Sequence, residues 1–93
     1  MSDLVGSVIK YSKTQGAVRA LLMTVAYYVE WHEGQPPTRG QLASMVNESR
    51  RQCDKLIDYA VQAGELIVNP SEHDADGHDE IDLNYSVLSG GAK

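Results

Sequence analysis

Between positions 49 and 59 the chain carries Ser49, Arg50, Arg51, Gln52, Lys55 and Tyr59, a run of hydrogen-bond donors suited to an anionic, base-bearing ligand. An arginine fork can pair with both acceptors of a guanine edge. Lysine and hydroxyl groups suit phosphate oxygens, and a helix N-terminus itself favours phosphate. Arg39 lies upstream of this run as a further phosphate candidate, and Lys10, Lys13 and Arg19 lie earlier still, although bases scattered in this way are more often solubilising. The competing reading is an ordinary solvated helix face. Asp54 and Asp58 stand in the same run, and Arg50 with Asp54 has the i,i+4 spacing of an ion pair.

Other chemistry finds little support. His73, Asp74, Asp76, His78 and Asp79 offer nitrogen and oxygen donors in one short stretch, but without the calcium-loop spacing and its distal glutamate. The stretch therefore reads as a solvated acidic turn, with no metal site expected. Cys53 falls on the inward face of a helix and reads as a small core residue. No phosphate-binding glycine loop, dinucleotide fingerprint, nucleophile elbow or zinc quartet is present, so no catalytic residue and no cofactor is expected.

The elements that must position the basic run follow from periodicity. Val18, Leu21, Leu22, Val25 and Val29 recur at helical spacing within 16–33, with Ser12 or Thr14 available as a cap and Gly34, Pro36 and Pro37 as the stop. Thr38 with Gln41 has the spacing of a capping box and opens a second, short helix carrying Leu42, Ala43, Met45 and Val46. Ser49 with Gln52 repeats the signal and opens a third helix, whose apolar positions are Cys53, Leu56, Ile57, Ala60 and Val61. Gly64 stands where a left-handed residue would end that helix. The period then changes to two: Leu66, Ile67 and Val68 form one strand, and Ile81, Leu83, Tyr85 and Val87 alternate along a second. The expected core is Leu21, Leu22, Val25, Leu42, Val46, Cys53, Leu56, Ile57, Leu66, Leu83 and Tyr85. Met23, Tyr27, Tyr28 and Trp31 widen the apolar surface of the first long helix, to be covered either by the N-terminal segment with Leu4, Val5, Val8 and Ile9 or by a second subunit.

Ninety-three residues suffice for one domain, divided here into an N-terminal segment 1–15, a body 16–88 and a flexible tail 89–93. Hydrophobic residues at 42% and charged residues at 23% place the chain among globular proteins rather than disordered or membrane ones. A single cysteine, the lack of a long apolar run and the lack of a leader pattern favour a cytoplasmic protein with no membrane partner. A net charge of -5 argues against nucleic-acid binding, but the charge is unevenly spread. Up to Asn69 seven bases meet seven acids, and six further acids crowd into 72–82 with no Lys or Arg among them.

Helix, helix, turn, helix and hairpin in this order, with the segment RGQLASMVNESRRQCDKLID at its centre, resemble bacterial and phage winged helix-turn-helix regulators. The resemblance implies a mainly α fold with a small β-hairpin, an α+β winged helix-turn-helix. It implies that Ala43 lets the two helices of the motif approach closely and that Asn47 turns the chain at positive φ. Ala63-Gly64-Glu65-Leu66-Ile67 is similar to the family's junction of recognition helix and wing. Glu48 departs from the pattern, standing where the family carries an aliphatic residue. The function implied is a small homodimeric, sequence-specific transcriptional regulator that binds double-stranded DNA through the helix from Ser49 to Ala63. The alternative is a winged-helix module that binds protein instead, as an inhibitor or adaptor, through the first long helix or the acidic wing.

Overall fold

The computed structural model describes residues 4–70 and 79–88. The elements run α1 (Leu4–Tyr11), α2 (Gly16–Trp31), α3 (Arg39–Met45), α4 (Arg50–Gln62), β1 (Leu66–Asn69), β2 (Glu80–Leu83) and α5 (Tyr85–Leu88). The fold is mainly helical with one small antiparallel sheet. None of the described helices is long and apolar enough to cross a membrane.

Helix α2 forms the spine, burying Val18, Leu21, Leu22, Val25, Ala26 and Val29 along one stripe. Against it pack Leu42 and Ala43 from α3, Cys53, Ile57 and Ala60 from α4, and Leu66, Ile81 and Leu83 from the sheet. The N-terminal segment supplies the cover on another side. Helix α1 runs antiparallel to α2, with the Leu4 N–H donating to the Glu30 carboxylate near one end and Arg19 donating to the Ile9 carbonyl near the other. Val8 of α1 is fully buried, and Leu4 and Val5 lie against the core edge. Met23 is also partly buried there, so the apolar surplus of α2 reduces to Tyr27 and Trp31.

The local signal for α3 is realised in full, and that for α4 in its side-chain cap but not as a reciprocal capping box. Thr38 forms a complete capping box with Gln41, and the Ser49 hydroxyl accepts from the Gln52 N–H at 3.1 Å. Asn47 takes φ 58°, and Gly64 takes φ 80°, so both turns use the left-handed backbone that these residues tolerate best. The start of α2 differs from expectation. Its N-cap is Gln15, which makes no side-chain cap bond, because the hydroxyls of Ser12 and Thr14 are turned instead to the carboxylate of Glu65.

In the hairpin Leu66 faces Leu83 and Val68 faces Ile81. Strand β2 is also paired on its other side: Thr38 bridges to Glu80, and the Ile81 N–H donates to the Pro37 carbonyl at 2.8 Å. The second strand ends earlier than its alternating pattern suggests. Asn84 stops it, donating from its side-chain amide to the Gly64 carbonyl while its own carbonyl receives the Val87 and Leu88 N–H groups. The chain therefore coils into α5. Tyr85, expected in the core, is 40% exposed, and Leu88 takes the buried position. The Tyr85 hydroxyl donates to Asp82 at 3.0 Å; partial burial and that carboxylate push its pKa up to about 12, so it remains a neutral donor. Val46 and Leu56 are also only partly buried. With Met45 and Glu48 they line a shallow hollow of about 300 Å³ between α2, α3 and α4, with the charged Glu48 at the place where an aliphatic residue would fill it.

Candidate nucleic-acid interface

Helix α4 has two unlike faces. Cys53, Ile57 and Ala60 turn inward, which sends Arg51, Gln52, Lys55, Asp58, Tyr59 and Gln62 to solvent. Ser49, at the N-cap, is exposed as well. Tyr59 is 63% exposed, an unusual position for a large ring with nothing to cover it. Among the described residues, no ion pair engages Arg51 or Lys55. The exposed face is thus a donor-rich strip about three turns long, and Asp58 is its single acid.

The arginines at its edge are held differently. Arg39, at the start of α3, is 14% exposed in its side chain and donates to Asp54 Oδ1 at 2.9 Å and to Asp79 Oδ2 at 3.5 Å. Its backbone N–H donates to the Asp79 carbonyl at 2.8 Å, so the residue joins α3 to α4 and to the chain entering β2. Arg50 donates from Nε to the same Asp54 oxygen at 3.2 Å, the i,i+4 pair expected from spacing. Partial burial penalises the charged form of Asp54, but the Arg39 and Arg50 guanidinium groups outweigh it and hold the carboxyl below its usual range. Beneath the cluster, burial and then the Asp54 charge push the Cys53 thiol up, with Arg39 and Arg50 pulling the other way. The thiol remains protonated at neutral pH.

Of the residues singled out by sequence, Ser49, Arg51, Gln52, Lys55 and Tyr59 share the open face, while Arg39 and Arg50 belong to the ion cluster beside it. The remaining bases serve elsewhere. Arg19 ties α2 to the Ile9 carbonyl, and the Lys10 ammonium lies 5.4 Å from the centre of the Tyr11 ring. Lys13 shares a hollow of about 540 Å³ with Tyr59 and Ala63, which brings it beside the C-terminal half of α4. The acidic stretch around His73 and Asp76 falls outside the described residues; of its donors only Asp79 is described, and it neutralises Arg39. The sequence places Asp79 in a solvated acidic turn and gives no sign of this pairing, because Arg39 and Asp79 are 40 residues apart and no local pattern links them.

Compared with known proteins, the chain matches no family model, no curated protein and no solved structure.

Proposed function

We propose that this chain is a small cytoplasmic DNA-binding regulator of transcription with a winged helix-turn-helix fold, and that α4 enters the major groove as its recognition helix. The observation that carries the proposal is the open strip of α4. Arg51, Gln52 and Lys55 follow directly on a capped N-terminus, face solvent together, and stand clear of the core that the opposite face builds. Helix α3 with its capping box, Asn47 at positive φ and the capped start of α4 supply the turn that such a helix requires. The hairpin follows where a wing would stand.

In this reading Arg51 and Gln52 address base edges and Lys55, Ser49 and Tyr59 address phosphates. Arg39 and Arg50 reach the backbone only by exchanging carboxylate partners for phosphate. That exchange leaves a carboxylate without its cation, so it costs less at Arg50, whose pair with Asp54 is about a third exposed, than at Arg39, whose side chain is 14% exposed. The test is a fluorescence titration with random duplex at low salt, repeated as salt is raised. Measurable affinity that declines log-linearly with salt, by close to one unit of slope per phosphate engaged, supports the reading. A folded protein that binds no duplex at low salt removes it.

A further inference from the structure

The C-terminal end of α2 carries a second surface that DNA binding does not use. Leu4, Val29, Trp31, Gly34 and Tyr85 line a groove of about 700 Å³ between α1, α2 and α5, with Glu30 and Glu33 at its rim. Trp31 is 70% exposed and lies 5.9 Å from the Tyr27 ring, which is exposed in turn. Exposed aromatic groups of this size, gathered at a groove, have the character of interface anchors. The charged side chains around it are acidic, although the start of α1 also lies here, with its Leu4 N–H donating to Glu30. Glu30, Glu33 and the carbonyl end of a 16-residue helix meet here, and among the described residues no Lys or Arg lines the groove. The bases of this half of the molecule, Lys10, Lys13 and Arg19, lie toward the other end of the antiparallel α1–α2 pair.

From this we infer that the groove is a docking site for another protein's amphipathic basic helix, with apolar side chains seated on Trp31, Leu4 and Tyr85 and Lys or Arg side chains meeting Glu30 and Glu33. The other occupants fit less well. A second copy that met this groove with its own across a two-fold axis would set one acidic rim against another. An anionic lipid surface or nucleic acid would be repelled. Of the chain's own remaining segments, 1–3 sets Met1 beside Asp3 without Lys or Arg, 71–78 is acidic, and 89–93 offers Lys93 without an apolar anchor, so none supplies the repeated bases and apolar groups of an amphipathic basic helix.

Trp31 is the sole tryptophan, so its emission reports on the groove directly. The probe is a synthetic amphipathic helix of leucine and lysine, titrated at low salt against the wild-type chain and against three comparisons. With the wild type, the emission moves to shorter wavelength and saturates. Replacing Glu30 and Glu33 by glutamine weakens the apparent affinity roughly fivefold, the size expected for two exposed ion pairs. The amide introduced at position 30 still offers an oxygen to the Leu4 N–H, so the α1–α2 tie is kept. Neutralising Asp74 and Asp76 instead leaves the affinity unchanged. A helix of leucine and glutamate gives no saturable shift. Equal losses in both neutralised variants, or equal binding of the acidic probe, would overturn the inference by showing attraction without a site. Sedimentation as a dimer, with a concentration-dependent Trp31 emission and no response to the basic probe, would assign the groove to self-association and overturn it too. Duplex affinity measured on the Glu30/Glu33 variant should equal the wild-type value, so failure of the DNA reading and failure of this one are separable.

Discussion

Two polar clusters tie distant parts of this chain together, and they differ in how far water reaches them. At Glu65 the side chain is buried, and its carboxylate accepts from Ser12 Oγ at 2.6 Å, from the Lys13 N–H at 2.8 Å and from Thr14 Oγ1 at 3.1 Å. At Asp54 the carboxylate is more than a third exposed and holds Arg39 and Arg50. Both clusters join segments far apart in sequence with comparable bond lengths. Yet a buried acceptor that loses its donors has no water to turn to, whereas the Arg50–Asp54 pair, each side chain about a third exposed, can part at a smaller cost because water reaches both groups. Burial, more than the number or length of the bonds, divides a structural cluster from one that can serve binding.

The first way to break this contrast is Glu65→Ala. It removes the shared acceptor of the Ser12 and Thr14 hydroxyls and the Lys13 N–H, of which Thr14 is buried, and we expect a loss on the order of 3 kcal/mol, read as a lowered urea midpoint. A loss under roughly 1 kcal/mol would place the Glu65 cluster in the same class as the exposed one. Next in size are the arginines of α4. Arg51→Ala should remove about 1 to 3 kcal/mol of duplex binding, and Arg50→Ala distinctly less, because Arg50 must first leave Asp54. Arg51→Ala should leave the urea midpoint in place, and Arg50→Ala should cost less than about 1 kcal/mol of stability. An equal loss at the two positions would mean that the Asp54 pairing does not restrain Arg50.

A carboxylate with neither burial nor a bonding partner among the described residues sharpens the same comparison. Glu48→Leu should stabilise the fold by about 1 kcal/mol, by filling the hollow beside Val46 and Leu56 at no cost in lost bonds. A lowered melting temperature would show that the charge at position 48 has a structural task. The smallest effect belongs to Asp54→Asn. At neutral pH it should cost less than about 1 kcal/mol of stability while strengthening duplex binding at low salt, since two arginines are released. The pH dependence has a definite sign. The folded pKa of Asp54 lies below its ordinary value of 3.8, so its stabilising contribution is present above about pH 4 and is lost as pH falls through the folded value. The stability gap between wild type and variant should therefore close in acid, and urea midpoints at about pH 7 and about pH 3 that keep the same gap would contradict this.

The parts of the fold that were legible in the sequence are those encoded within a few residues. The caps at Thr38 and Ser49, the turn at Asn47, the stop at Gly64 and the inward stripe of α4 all involve close neighbours along the chain, where residue type and geometry are directly coupled. The open strip of Arg51, Gln52, Lys55 and Tyr59 was legible for the same reason, as the reverse of that stripe. What escaped depends on distance along the chain. Glu65 stands in a turn-like sequence and gives no local sign that Ser12 and Thr14 will come to it. Arg39 likewise has no local sign of Asp79. Tyr85 misled because Ile81, Leu83, Tyr85 and Val87 satisfy a period of two, while Asn84, the residue that halts the strand, acts through a bond to Gly64, 20 residues away.

The reach of the Glu65 cluster also bears on the order of events in time. Its partners lie 51 to 53 residues away along the chain, so its bonds close a loop longer than half the chain. Helix α4 and its turn with α3 can form from near neighbours, whereas this closure must wait until both segments have been brought together by the core. Bonds made after the rate-limiting step accelerate escape from the native state when removed and leave the approach to it unchanged. Loss of the Glu65 carboxylate should therefore leave the refolding limb of a chevron in place and raise the unfolding limb throughout, making this one side chain a latch on the lifetime of the folded state.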